Sequence, residues 1–209
     1  MVRIKICGIT NLEDALLAVS LGAHALGFVF FSKSARAVGP EEARRIIREL
    51  PPLVLSVGVF VDEEAGAVRD LAAYAGLDWL QLHGGESPEY CRSLGRRVIK
   101  AFRIAGQESL APLADYRGAV QAFLLDTYRP GLAGGTGETF DWDLARQAGE
   151  YGPIILAGGL TPGNVAQAIA AAQPAAVDVA SGVEATPGKK DPLKLRAFME
   201  AIQKTEGGG

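Results

Sequence analysis

The strongest constraint on this chain is a strict alternation of two kinds of segment. Short apolar runs recur as RIKIC, ALGFVF, LVLSVGVF, WLQLH, VIKAF, AFLLD, PIILAG and AVDVAS, eight in all. Between them lie helix-like stretches: LEDALLAVSLG, PEEARRIIREL, EEAGAVRDLAAYAG, a short SPEYCRSLG, a weak ESLAPLADY, DLARQAGEY, NVAQAIAAA and PLKLRAFMEAI. Alternating β and α elements imply a parallel sheet, because each strand must be brought back to the same end before the next begins. The strand starts are roughly 20 to 32 residues apart, the length of one βα unit. LGAHALGFVF, AGLDWLQLHG and AQPAAVDVAS share one outline of helix end, small turn, polar residue and strand, a weak internal repeat.

Eight such units fit a closed (β/α)8 barrel or an open doubly wound sheet. A barrel places polar groups at the carboxyl ends of many strands, whereas an open sheet gathers them at one switch point. Here they follow the first strand (Cys7-Gly8), the second (Ser32 to Arg36) and the fourth (His83-Gly84-Gly85). They also follow the sixth (Asp126-Thr127), the seventh (Gly158-Gly159) and the eighth (Ser181-Gly182). That spread favours a single-domain TIM barrel over residues 1–205, with 206–209 as a disordered tail. At 209 residues the chain is near the lower limit for this fold, so the fifth helix is expected to be short. Thr10 and Glu13 have capping-box spacing at the start of the first helix. Gly22, Gly76 and Gly95 are expected to end helices.

Composition narrows the function. The chain is 48% hydrophobic and 22% charged, an ordinary soluble balance. Its net charge of −3 leaves no basic footprint for nucleic acid. The run around LVLSVGVFV is too short to span a bilayer, and the start has no signal-peptide pattern. Cys7 and Cys91 cannot build a disulfide framework, and His24 and His83 are far from metal-ligand spacing, so no metal is expected. The expected setting is cytoplasmic, with a small molecule as partner, no membrane, and a monomer or homodimer.

Several stretches could carry chemistry. IILAGGLTPGNV and DVASGVEATPG each run from a strand into glycine, the second with a possible extra helix from Val183. Glycine lets a backbone approach an anion, and the loops after the last two strands of a barrel often hold phosphate. One such loop alone would be an ordinary tight turn; the pair, Gly158-Gly159 and Ser181-Gly182, points to a phosphate. Asp126 ends the sixth strand as a turn residue or a general acid or base. The Gly134–Gly137 run after it has the composition of a flexible cover, and lacks the Gly-Lys-Ser/Thr of a phosphate-binding Walker loop. Arg36 is a surface arginine or a clamp on a carboxylate or phosphate. Gln81 and His83 share one face of the fourth strand, with His83 expected mid-sheet and His24 at the opposite end of the barrel. Cys7 lies at the open end with Asp126, and a thiol there can serve as nucleophile or base. With no protease-like histidine placed for it, a base working with Asp126 as acid is the simpler pairing.

Taken in order, KICGIT, SARAV, LQLHG, LLDT with GGTGETFDW, LAGGLTPGNV and DVASGVEATPGKKD resemble the N-(5'-phosphoribosyl)anthranilate isomerase family, from residue 1 to about residue 191. Singly these motifs are weak; the ordered set is specific. Ala35, Gly85 and Ala180 depart from residues common in that family, and bear on loop geometry rather than on chemistry. The resemblance implies a (β/α)8 barrel of tryptophan biosynthesis that performs an Amadori rearrangement of a phosphosugar amine. It implies Asp126 as the acid that opens the furanose, Cys7 as the base at the sugar C2, and Arg36 on the anthranilate carboxylate. Gln81 and His83 are expected to bind substrate, and Gly158, Gly159, Ser181 and Gly182 its phosphate. It implies no cofactor, because the iminium is itself the electron sink. Two other readings are a different aldose–ketose isomerase on a phosphate barrel, such as the histidine-pathway enzyme, and a non-catalytic phosphosugar sensor. The histidine-pathway type resembles a duplicated half-barrel with acidic residues in both halves, whereas here the first strand ends in Cys7. The sensor would need neither Cys7 nor Asp126.

Overall fold

A computed structural model describes residues 2–126 and 142–206. The first four strands are β1 (Arg3–Cys7), β2 (Ala25–Val29), β3 (Leu55–Phe60) and β4 (Trp79–Leu82). They are followed by β5 (Arg97–Arg103), β6 (Ala122–Asp126), β7 (Ile154–Ala157) and β8 (Ala176–Val179). All pair in parallel with their sequence neighbours, and β1 closes the barrel on β8 through the register Lys5↔Asp178 and Ile6↔Val179. The helices are α1 (Leu12–Ser20), α2 (Pro40–Arg48), α3 (Ala65–Ala75), α4 (Pro88–Ser93), α5 (Trp142–Ala148), α6 (Val165–Ala172) and α7 (Pro192–Glu206). Among the described residues, no helix is long and apolar enough to cross a membrane. The Gly134–Gly137 run, Thr127 and the terminal glycines lie outside the described residues.

Strand periodicity separates two apolar layers. Ile4, Ile6, Leu26, Phe28, Leu80 and Leu82 face outward and pack under the helices with Ala15, Ile46, Val68 and Phe198. Each such large side chain contributes about 1.5–3 kcal/mol when removed from water. The alternate positions fill the barrel interior, where Val57, Ile99, Ala101, Leu124 and Ile155 form a smaller cluster. Toward the carboxyl ends this cluster gives way to charged and polar groups, so the interior is apolar below and polar at the mouth.

Several local expectations change in the folded chain. Asn11, not Thr10, caps α1, its side chain accepting from the Asp14 N–H at 2.9 Å. Thr10 instead donates to the Gly188 carbonyl, 178 residues away, because the chain after β8 folds back over β1. Gly76 does end α3 in the left-handed conformation. The fifth connection is a 3-10 stretch, Gln107–Tyr116, with Pro112 inside it, and the shortest α-helix is α4. No helix starts at Val183: a single 3-10 turn, Ser181–Val183, leads into a hairpin of β9 (Glu184–Thr186) and β10 (Lys189–Lys190).

Candidate active site

The carboxyl ends of the strands surround a cavity of about 500 Å³. Cys7 reaches it from β1, Asp126 from β6, Gln81 from β4 and Arg36 from the loop after β2. Gly158, Gly159 and Ser181, at the ends of β7 and β8, form another part of its wall, and His83 also lines it. Gly182 does not line it. A Cβ on Gly182 would stand 1.9 Å from the Leu160 carbonyl oxygen, so this glycine lets the eighth loop lie directly on the seventh. In the seventh loop Asn164 accepts from the Thr161 N–H and donates to the Gly159 carbonyl, tying the glycine turn to the start of α6. Gly182→Ala is therefore expected to separate the two loops and raise the KM for phosphate-bearing substrates. Free phosphate or sulfate, measured as a competitive inhibitor, should weaken in parallel.

His83 lies just beyond β4, not mid-sheet, and its ring faces across the barrel to β6. Its Nε2 is 3.5 Å from Asp126 Oδ2, and its Nδ1 is 3.2 Å from the Gln81 amide nitrogen. With Gln81 donating to Nδ1, the proton of a neutral imidazole sits on Nε2, toward the carboxyl. The loop carrying His83 is held from below by a buried pair, Lys100 and Glu86, 3.0 Å apart. Lys100 also donates to the Gly84 carbonyl, and Glu86 accepts from the Gly84 and Asp62 N–H groups. His24 precedes β2 at the opposite end, where its Nδ1 accepts from the Ile4 N–H.

The room for the Cys7 thiol comes from Gly27 on β2. A Cβ there would stand 2.7 Å from Sγ. Gly8, with φ +76°, serves a different need: a Cβ on it would meet Arg36 Cδ at 2.7 Å, so the arginine stem crosses the end of β1 where Gly8 lies. Burial pushes the Cys7 thiol above its ordinary value, with Lys5 and Lys190 pulling the other way and Asp178 adding to the rise.

Arg36 makes a forked bond to Glu184 on β9, with Nε 2.9 Å from Oε1 and Nη2 2.7 Å from Oε2. Nothing local in the sequence marks Glu184 as its partner, since 148 residues separate them. Glu184 also takes Lys190 Nζ at 3.0 Å. Burial alone would raise the Glu184 carboxyl, but the hydrogen bonds and charges of Arg36 and Lys190 hold it below the ordinary carboxylate value. Lys190 is itself 1% exposed and distributes its ammonium among the Cys7 carbonyl, the Ala180 carbonyl and Glu184. This network joins the β9–β10 hairpin to the ends of β1 and β8, and makes Arg36 a rigid part of the wall. Among the described residues no cluster of His, Cys, Asp or Glu could hold a metal ion.

A closed parallel barrel with titratable side chains gathered at the carboxyl ends of its strands defines a (β/α)8-barrel enzyme. The chain belongs to the N-(5'-phosphoribosyl)anthranilate isomerase family, whose description, "N-(5'phosphoribosyl)anthranilate (PRA) isomerase", matches residues 4–201. It is 60% identical over 204 residues to the N-(5'-phosphoribosyl)anthranilate isomerase of Citrifermentans bemidjiense, covering 98% of each chain. Its fold superposes on the crystal structure of phosphoribosyl anthranilate isomerase from Thermotoga maritima with a TM-score of 0.91 at 48% identity, over 98% of this chain and 100% of that one. A second crystal structure, of phosphoribosyl anthranilate isomerase in complex with reduced 1-(o-carboxyphenylamino)-1-deoxyribulose 5-phosphate, gives a TM-score of 0.88 at 46% identity, over 98% and 100% of the two chains.

Proposed function

We propose that this chain isomerises N-(5'-phosphoribosyl)anthranilate to 1-(2-carboxyphenylamino)-1-deoxyribulose 5-phosphate, with Asp126 as general acid and Cys7 as general base. The observation that carries this reading is the placement of a carboxyl and a thiol on strands β6 and β1, across one cavity. Asp126 gives a proton to the furanose ring oxygen, and the C1–O bond breaks to leave an iminium conjugated to the aniline nitrogen. The Cys7 thiolate takes the proton from C2, and its electron pair moves into the C1–C2 bond and on to nitrogen. The resulting enolamine tautomerises to the ketone. C1 is reduced and C2 oxidised within one molecule, so no outside electron donor or acceptor enters. His83 and Gln81 line the same cavity and would contact the substrate, with the His83 Nε2 3.5 Å from the Asp126 carboxyl and so placed to orient it.

The substrate's two anionic groups have two candidate partners in the cavity wall. Arg36 retains Nη1 outside its fork to Glu184, and this donor is the one for the anthranilate carboxylate. Gly158, Gly159 and Ser181 face the phosphate. Gly182 contributes by holding Ser181 against the seventh loop rather than by lining the cavity. The test is direct: purified protein is mixed with freshly formed phosphoribosylanthranilate and the loss of anthranilate-type fluorescence is followed. Turnover supports the isomerase reading. Tight binding of the product analogue without turnover would favour the sensor reading instead, and turnover only of the histidine-pathway aldose would favour the other isomerase.

A further inference from the structure

Two charges in the barrel interior have no part in the steps above. Lys5 and Asp178 stand opposite each other on β1 and β8, with Nζ 2.9 Å from Oδ1 and exposures of 3% and 8%. Lys5 precedes Cys7 by two residues, so the strand period turns both side chains to the interior. Asp178 shares the cavity wall with Cys7. A buried ion pair is a poor source of stability, because an apolar pair of the same volume would serve as well or better. The neighbouring interior positions are indeed apolar: Val57, Ile99, Leu124 and Ile155.

We propose that Lys5 and Asp178 are positioning residues for the base: Lys5 supplies the cation beside which the Cys7 thiolate forms, and Asp178 keeps that ammonium charged and in place. The proposal rests on the reading of Cys7 as the base. Forming a thiolate at a buried position is costly without a cation close by. Among the described residues three cations act on Cys7: Lys5, Lys190 and Arg36. Lys190 divides its ammonium among two backbone carbonyls and Glu184, and Arg36 is forked to Glu184, so both are committed to the hairpin. Lys5 bonds Asp178, shares the interior face of β1 with Cys7 two residues on, and has donors of its ammonium to spare. Burial would lower the Lys5 ammonium, but the charges of Asp178 and Cys7 outweigh this and raise it. The arrangement also suits proton transfer. When the thiolate takes the substrate proton, Lys5 remains paired with Asp178, and no buried charge is left alone.

The test titrates the Cys7 thiol in the free protein, by its ultraviolet absorbance and by the pH dependence of iodoacetamide alkylation. A Cys91→Ser background removes the other thiol. Lys5→Met should raise the Cys7 midpoint by at least about one pH unit, which slows alkylation about tenfold at a fixed pH below it. Asp178→Asn should lower the midpoint, because it removes an anion that raises the thiol while Lys5 stays. The double variant leaves no unpaired charge; its midpoint should lie above that of the parent, since the Lys5 charge acts on the thiol more strongly than that of Asp178. In turnover, Lys5→Met should lower kcat at neutral pH with little change in KM, and should move the rising limb of the pH profile upward by the same amount as the thiol. Simple loosening of the barrel would hydrate the sulfur and shift all three variants downward. An unchanged or lowered midpoint in Lys5→Met overturns the proposal; if that variant does not fold, the same result in the double variant overturns it. These titrations involve no substrate. Their failure is therefore distinct from the failure of the base assignment, which would appear as full turnover by Cys7→Ala.

Discussion

Cys7→Ala and Asp126→Asn are each expected to lower turnover by about 10²- to 10⁴-fold or more, the range for loss of a positioned proton-transfer group. Both variants should fold, since neither leaves a buried unpaired charge, and both should still bind the reduced product analogue. Cys7→Ser should also be poor, because a hydroxyl is far less acidic than a thiol. The pH dependence has a definite sign. Burial raises the Cys7 thiol, so in the free enzyme the fraction of thiolate grows as pH rises through and beyond the ordinary thiol range. kcat/KM and alkylation by iodoacetamide should rise together along that limb, and bound product analogue should protect. Near-normal turnover by Cys7→Ala would end the base assignment. Cys91 is buried in α4, where burial pushes its thiol up to about 11, so Cys91→Ser should leave the limb where it is.

The second large effect lies at Arg36. Loss of a charge-assisted bond to the anthranilate carboxylate costs roughly 1.5–3 kcal/mol, so Arg36→Met should weaken substrate binding by about 10- to 150-fold. Arg36→Lys should recover only part, because an ammonium cannot hold both Glu184 oxygens and a ligand in one plane. Glu184→Gln should act in the same direction through Arg36, by releasing the guanidinium from its fixed plane. The deciding comparison is a substrate analogue whose aniline lacks the carboxylate. Wild type and Arg36→Met should handle it about equally; equal damage to both substrates would make Arg36 a structural or phosphate-binding residue. Linkage gives a further check. The Glu184 carboxyl is held below its ordinary value, so its contribution to stability is complete above the unfolded carboxylate range. That contribution is lost as pH falls through the depressed folded value. Acid unfolding of Glu184→Gln should lack this component.

The order and type of the elements were legible because they depend on neighbours in sequence. Apolar runs such as RIKIC and AVDVAS alternate with helical periods, and only a parallel sheet joins such units with short turns. The strand-end groups Cys7, Asp126, Gln81 and Arg36 could be assigned to one end of the sheet for the same reason, since parallel strands share a direction. Local signals failed where a distant segment competed. Thr10 has capping-box spacing, yet its hydroxyl goes to Gly188, and Asn11 takes the cap. Val183 follows a glycine like a helix start, yet Glu184 beside it is drawn into β9 by Arg36 and Lys190. At Gly182 closure adds to the anion-loop reading a second need for glycine that no local pattern marks, the Leu160 carbonyl.

The sequence by itself therefore determined the barrel and the side chains at its mouth, because strand period and strand direction are local properties that repeat in every βα unit. Only the closed structure decided which of those side chains act on one another. Lys5 and Asp178 are 173 residues apart, and they meet because β8 closes on β1. Gly27 clears space for the Cys7 thiol because β2 lies beside β1 at that register. His83 reaches Asp126 because the barrel curves β4 round toward β6. Charge interactions and steric room depend on distances of a few ångströms across the barrel, and no pattern along one strand encodes them until the sheet has closed.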